Sequence, residues 1–181
     1  MYEVDYPATL ARKKRIVKRI FGRLPRHVVY AAADFNKRTL DEVLEGAGFD
    51  SAAPAFFIWE GVIHYLTEKA VEDTFEFIGA KTAAGSRIVF TYVHRGAIDM
   101  DGTFGETKEI REKLKEMSER WTYGIRPEEL GSLMEKHNLE LIEDLGSVDY
   151  RAKYLGAGGN NLKGFEFYRA ACARVKNRSR E

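Results

Sequence analysis

Cysteine is all but missing from this chain. Cys172 is the single one in 181 residues, so no disulfide can form within it, and a reducing compartment such as the cytoplasm is expected. No apolar run reaches the length of a membrane span. Glu3 and Asp5 stand where a signal peptide would carry a basic stretch and an apolar core, so no leader is expected. Neither sign of charge is in excess. Lys and Arg number 29 against 28 Asp and Glu, which gives no general pull toward nucleic acid or an anionic membrane, and neither is expected as a partner. Phosphate-binding loops of the G-x-x-x-x-G-K-[ST] and G-x-G-x-x-G types are absent, as is a G-x-S-x-G nucleophile turn. No cluster of Cys and His suggests a metal, and none is expected.

What is present reads as one folded α/β domain. With 44% hydrophobic and 31% charged residues, the composition is that of an ordinary globular protein. Short apolar runs predict strands at 2–5, His27–Ala33, Ala55–Trp59 and Arg87–Val93. Helical spacing predicts helices between them. The first starts at Pro7 and repeats Leu10, Val17, Ile20 and Leu24; the second covers Thr39–Ala47, with Thr39 or Asn36 near its cap; the third runs from Thr67 to about Lys81. Gly96–Gly105 reads as a glycine- and aspartate-rich loop, and Glu106–Arg120 as a charged helix. A helix over Pro127–His137, a strand over Leu139–Glu143, a short helix over Asp149–Leu155 and a last strand over Phe165–Val175 complete the order. Alternation of this kind implies a largely parallel sheet with helices on both faces, the last strand entering antiparallel. The domain is expected over 1–176, followed by a basic tail at 177–181.

Ligands of open α/β sheets bind beyond the carboxyl ends of the strands. Four successive tips in this chain carry Asp5, Asp34, Glu60 and His94. One carboxylate can accept two ribose hydroxyls, a second the exocyclic amine of an adenine, and a third can face a cationic group. That set suits a positively charged adenosine ligand better than one with phosphates. Acidic residues at strand tips also serve as caps and turn residues, so each alone carries little weight. The basic run Arg12-Lys13-Lys14-Arg15 reads as the solvated face of its helix, and Cys172 as a small buried hydrophobe.

At these residues the chain resembles the leucine carboxyl methyltransferase family of class I S-adenosylmethionine-dependent methyltransferases. The matching stretches are EVDYPAT at 3–9, VVYAAADFN at 28–36, FFIWEGVIHYLTEKAV at 56–71, SRIVFTYVH at 86–94 and GFEFYRAACARV at 164–175. The resemblance implies a Rossmann-like methyltransferase sheet and S-adenosylmethionine as cofactor. It implies that Asp5 holds the ribose, that Asp34 and Phe35 meet the adenine, and that Glu60 lies along the methionine and sulfonium part with Gly61 allowing close approach. Tyr65 faces the cofactor or the acceptor, or else packs beneath the rim. The acceptor is expected to be a carboxylate or hydroxyl oxygen of a small molecule or a protein C-terminus. His94 is the candidate general base for a hydroxyl.

The family pattern also places a strand with a glycine-rich turn ahead of EVD, at the centre of the sheet. These 181 residues do not include it, so an N-terminally truncated member is expected. The strands ending at Asp5 and Glu60 are then expected to flank a gap. They could pair directly, or a second copy could close it, and self-association is the preferred expectation. Two readings stay open: a methyltransferase, or a non-catalytic remnant acting as a ligand-binding or protein-interaction module.

Overall fold

The computed structural model describes residues 1–104, 112, 120–156 and 165–177. The helix expected over 106–120 and the tail lie largely outside the described residues. Strand β1 (Tyr2–Asp5) leads into helix α1 (Pro7–Phe21), then β2 (Val29–Ala32), α2 (Leu40–Gly46) and β3 (Phe56–Trp59). A 3-10 turn at Ile63–Tyr65 precedes α3 (Glu68–Glu76), which runs on as a π turn over Phe77–Lys81. Strand β4 (Arg87–Val93) and a short α4 (Arg95–Asp99) follow. Beyond them come α5 (Pro127–Lys136), β5 (Leu139–Gly146), α6 (Ser147–Leu155) and β6 (Tyr168–Val175).

The strands form two separate sheets. One holds β1 and β2 in parallel; the other has the order β3-β4-β6-β5. Strand β3 runs parallel to β4, and β6 lies antiparallel between β4 and β5, as the last strand was expected to do. A bulge interrupts β5 between Leu141 and Glu143. Among the described residues no strand pairs with the inner edge of β1 or of β3, so these two do not close on one another.

One face of both sheets shares a single core. Trp59, Ile88, Phe90 and Tyr92 from the strands pack with Val71, Phe75 and Ile78 from the α3 segment and Leu130 and Met134 from α5. Tyr2 and Val4 of β1 join the same cluster, as does Phe57 of β3. Phe49 spans the two sheets: its ring centroid lies 5.4 Å from that of Tyr2 and 6.0 Å from that of Phe57.

The opposite face is open over the larger sheet. Phe56 is 61% exposed and Ile58 72%. Cys172, expected to be buried, is half-buried, because its side chain points to this open face alongside Val89. Helix α1 departs from expectation for a related reason. Leu10 is buried, Val17 and Leu24 are half-buried, and Ile20 is 64% exposed. A helix is about 10 Å across, whereas two strands about 4.8 Å apart offer it a narrow floor. Its basic residues are largely solvated, with Lys13 paired to Glu3 and Lys14 5.5 Å above the Tyr30 ring.

The segment expected as a loop at 96–105 begins instead with α4. His94 caps that helix: its Nδ1 accepts from the Gly96 N–H at 3.0 Å. A ring nitrogen thus does the work usually left to Ser, Asp or Asn, which is why the helix start is hard to see in the sequence.

Candidate active site

The rim of strand tips is built by local capping chemistry. β1 ends at Asp5, whose Oδ1 accepts from the Tyr6 N–H at 2.7 Å, and Pro7 then opens α1. β2 ends just before Asp34. Asp34 Oδ1 accepts from the Asn36 N–H at 3.2 Å, and its carbonyl accepts from Lys37 and Arg38, so this aspartate organises a turn. Thr39 and Glu42 then form a reciprocal capping box at the start of α2. Phe35 packs partly buried against the core, which fixes the chain beside Asp34.

Glu60 follows β3 and is exposed, and Gly61 turns the chain at φ +70. That conformation costs a glycine little, and open space surrounds the position a Cβ would take. The Gly61 N–H donates to Thr91 Oγ1 of β4 at 2.9 Å. Asn36 is not the cap of α2. Its Oδ1 accepts from the Thr67 N–H at 3.2 Å, tying the turn after β2 to the turn after β3. This bond crosses between the two sheets and places Asp34 and Glu60 on one rim.

The electrostatics differ among the three carboxylates. The Lys37 ammonium, 3.0 Å from Asp34 Oδ2, holds that carboxyl below the usual aspartate value, and the Asn36 N–H adds to the effect. Glu60 makes no hydrogen bond or ion pair among the described residues, and Asp5 keeps Oδ2 open. The rim therefore offers acceptor oxygens at Asp5 and Glu60 directly, and at Asp34 through exchange with an exposed lysine.

Tyr65 lies over the buried His64, ring centroids 4.3 Å apart, and is 37% exposed. His64 is wedged beneath the rim against Trp121 and Tyr168, and its carbonyl accepts from the Thr122 N–H at 2.8 Å. His94 stands at the end of β4 with its ring 5.1 Å from that of Phe104. Burial lowers its pKa below the usual histidine value, and the cap requires Nδ1 to be unprotonated. A neutral ring in that tautomer presents an N–H at Nε2, which is a donor rather than a base.

Two further constellations were not expected from sequence. Tyr92, Asp144 and Arg169 meet at the ends of β4 and β5 and the start of β6. The Tyr92 hydroxyl donates to Asp144 at 2.9 Å and accepts from Arg169 Nε at 2.9 Å, while Arg169 Nη2 reaches Asp144 at 2.9 Å. Burial, then the Asp144 charge, pushes the Tyr92 phenol well above the usual tyrosine value. The second is a cleft of about 450 Å³ between the start of α3, α4 and α5, lined by Glu68, Glu72, Arg95, Asp99 and Tyr123 among others. None of Asp5, Asp34 or Glu60 lines it. No group of His, Cys, Asp and Glu among the described residues is arranged to hold a metal, and no described helix is long and apolar enough to cross a membrane.

The run of tips is matched by the family model for leucine carboxyl methyltransferase, which covers residues 1–79. The chain belongs to that family. Two curated relatives carry the name "putative S-adenosyl-L-methionine-dependent methyltransferase". The one from Mycolicibacterium vanbaalenii is 32% identical over 123 residues, covering 67% of this chain and 37% of the relative. The other, YktD of Bacillus subtilis, is 26% identical over 166 residues, covering 92% of this chain and 54% of the relative. The chain thus spans about a third to a half of these relatives' length. Among solved structures, a "putative methyltransferase" from Thermobifida fusca superposes with a TM-score of 0.67 at 19% identity, over 97% of this chain and 63% of that one. The fold is that of the methyltransferases, with β6 inserted antiparallel between β4 and β5.

Proposed function

We propose that this chain binds S-adenosylmethionine at its strand-tip rim and serves a methyltransferase that delivers the methyl group to a carboxylate or hydroxyl oxygen. The observation that carries the reading is the placement of Asp5, Asp34 and Glu60 on one rim, joined across the two sheets by the Asn36–Thr67 bond. The residues present fit the cofactor. Asp5 Oδ2 is open to accept from ribose hydroxyls. Asp34 would take the adenine amine in place of, or beside, Lys37. Glu60, an exposed carboxylate with no partner of its own among the described residues, would face the positive sulfonium end, and open space at Gly61 lets the cofactor approach the backbone.

When bound, the cofactor supplies an electrophilic methyl group, displaced in line by the acceptor oxygen. The chain's part is to hold the adenosine in register, to set negative charge beside the cation and to orient it toward the acceptor. An acceptor carboxylate is already ionised near neutral pH and needs no base. His94, engaged as a cap and neutral, is better suited to anchoring α4 than to removing a proton, which favours a carboxylate over a hydroxyl. The alternative reading, a non-catalytic ligand-binding or interaction module, draws support from the unpaired edges of β1 and β3.

Calorimetric titration with S-adenosylmethionine and S-adenosylhomocysteine tests the proposal. Saturable binding is expected, lost in Asp34→Ala and in Glu60→Ala while both variants keep wild-type urea midpoints. Absence of binding at millimolar ligand would remove the cofactor reading from this chain and leave the module reading.

A further inference from the structure

The division between the two sheets has a defined hydrogen-bonding geometry. In a parallel ladder, alternate residues of a strand turn both backbone groups to one neighbour and the residues between turn theirs the other way. In β1, Met1 and Asp5 offer their carbonyls to Val29 and Ala33 of the β2 side. Tyr2 and Val4 therefore turn their N–H and C=O groups away from β2. In β3, Ala55 offers its carbonyl to Arg87 at the start of β4, so Phe56 and Ile58 turn theirs away from β4. These two sets face one another across the division, and no bond among the described residues satisfies them.

The space between has a floor and an open roof. Phe49 closes the core side, in contact with Tyr2 of β1 and Phe57 of β3. On the other side Phe56 and Ile58 stand 61% and 72% exposed. The Asn36–Thr67 bond fixes the tips of β2 and β3 on the same edge, so the two walls point the same way. Any strand lying there would meet aromatic surface below and apolar surface above.

We infer that the division between β1 and β3 is an acceptor slot for one extended polypeptide strand, apolar on both faces and free on both edges, supplied from outside these 181 residues. The requirement for two free edges argues against a second copy as donor. Each described strand already has at least one edge in a ladder, so a second copy could lend one only by breaking its own sheet. An incoming strand would satisfy the N–H and C=O groups of Tyr2, Val4, Phe56 and Ile58 together. It would join the two sheets into one and cover part of the open face. Strand addition at a single edge is a common recognition mode; in this slot two edges act at once. The inference stands apart from cofactor binding, because the slot is read without cofactor.

Amide hydrogen exchange of the full chain tests it, with the synthetic peptide acetyl-Lys-Val-Val-Ile-Val-Gly-Gly-amide as probe and the same peptide carrying Pro for Ile as control. Millimolar probe is expected to slow exchange of the Tyr2, Val4, Phe56 and Ile58 amides together, each at least tenfold. The proline control, lacking a donor at the centre of the slot, is expected to give no such slowing. Protection of the free edges of β2 or β5 in place of these four would show ordinary edge addition and overturn the slot. So would slowing of β1 without β3, or protection that rises with protein concentration alone, which would mean that copies pair with each other. No protection at all would also overturn it. Because no residue of the chain is altered, a folding defect cannot imitate any of these outcomes.

Discussion

Replacing Tyr92 by Phe removes one hydroxyl from the buried meeting point of β4, β5 and β6, and the size of the effect follows from what remains. That hydroxyl donates to Asp144 and accepts from Arg169, both at 2.9 Å. Without it, Asp144 and Arg169 still hold each other through the Nη2 contact at 2.9 Å, so neither charge is orphaned. The loss is expected to be about 1–2 kcal/mol, the value of hydrogen bonds to charged groups reduced by the surviving pair. Asp144→Ala is different in kind. It leaves the Arg169 guanidinium, 21% exposed, without its carboxylate, and the Tyr92 hydroxyl without its acceptor. Breaking such a pair from one side is expected to cost about 3–4 kcal/mol. In urea unfolding, with a slope of about 2 kcal/mol per molar, the midpoints should fall by ~0.5–1 M for Tyr92→Phe and ~1.5–2 M for Asp144→Ala. Alkaline titration adds an independent check. Folded Tyr92 keeps its proton to higher pH than an unfolded tyrosine, which ionises near pH 10, so the folded chain binds more protons above that point. Stability conferred by Tyr92 is thus complete below about pH 10 and declines as pH rises beyond it, and the phenylalanine variant lacks this part of the decline. Equal losses for the two variants, or a loss below about 1 kcal/mol for Asp144→Ala, would refute the reasoning that the carboxylate holds the site together.

Three other perturbations have definite outcomes. Gly79→Ala sets a Cβ 1.7 Å from the carbonyl oxygen of His137, a backbone atom that cannot step aside, so a loss of at least about 3 kcal/mol is expected in the same urea assay. Thr39→Ala removes the side-chain acceptor of the capping box and should lower stability by about 1 kcal/mol, with the exchange of the Glu42 amide accelerated. Asp34, whose carboxyl is held below its usual value by Lys37, should remain ionised in the folded chain down to about pH 4, the unfolded value. Its contribution to folding is therefore present above that pH and lost as pH falls below it, and calorimetric binding of S-adenosylmethionine should fade over the same range.

The strand tips were legible because each of the first β elements is a short apolar run ended by an acid, a pattern that needs only neighbouring residues to be seen. Arg87–Val93 is an expected strand with the same bounds in the fold, and Thr39 caps α2 as its spacing to Glu42 suggests. What escaped the sequence depends on residues far apart. Asn36 looks like a local cap but serves Thr67, thirty-one positions away. Tyr92, Asp144 and Arg169 come from three strands, and nothing in their immediate neighbours marks them. Ile20 follows the helical stripe faithfully and is exposed nonetheless, because periodicity says which face is apolar and not whether anything covers it. The functional roles of Asp5, Phe35, Glu60, Gly61 and Tyr65 rest on the same tips, and titration with S-adenosylmethionine is their test.

The bulge in β5 carries a consequence for how the chain tolerates change. Before it, odd-numbered residues face the core: Leu139 pairs with Val175 and Leu141 with Ala173. After it, the parity reverses, and Asp144 pairs with Ala171 and Gly146 with Arg169. Ile142, 50% exposed, is the residue that makes the switch. Deleting it would restore one unbroken parity and bring whichever residue then fell in step beneath Tyr92, so the Asp144–Arg169 pair is maintained by a single insertion rather than by the identity of its neighbours. In a lineage, that position is a reading-frame mark for the sheet: side chains around it can drift, while a change of length there exchanges the inner and outer faces of everything that follows in the strand.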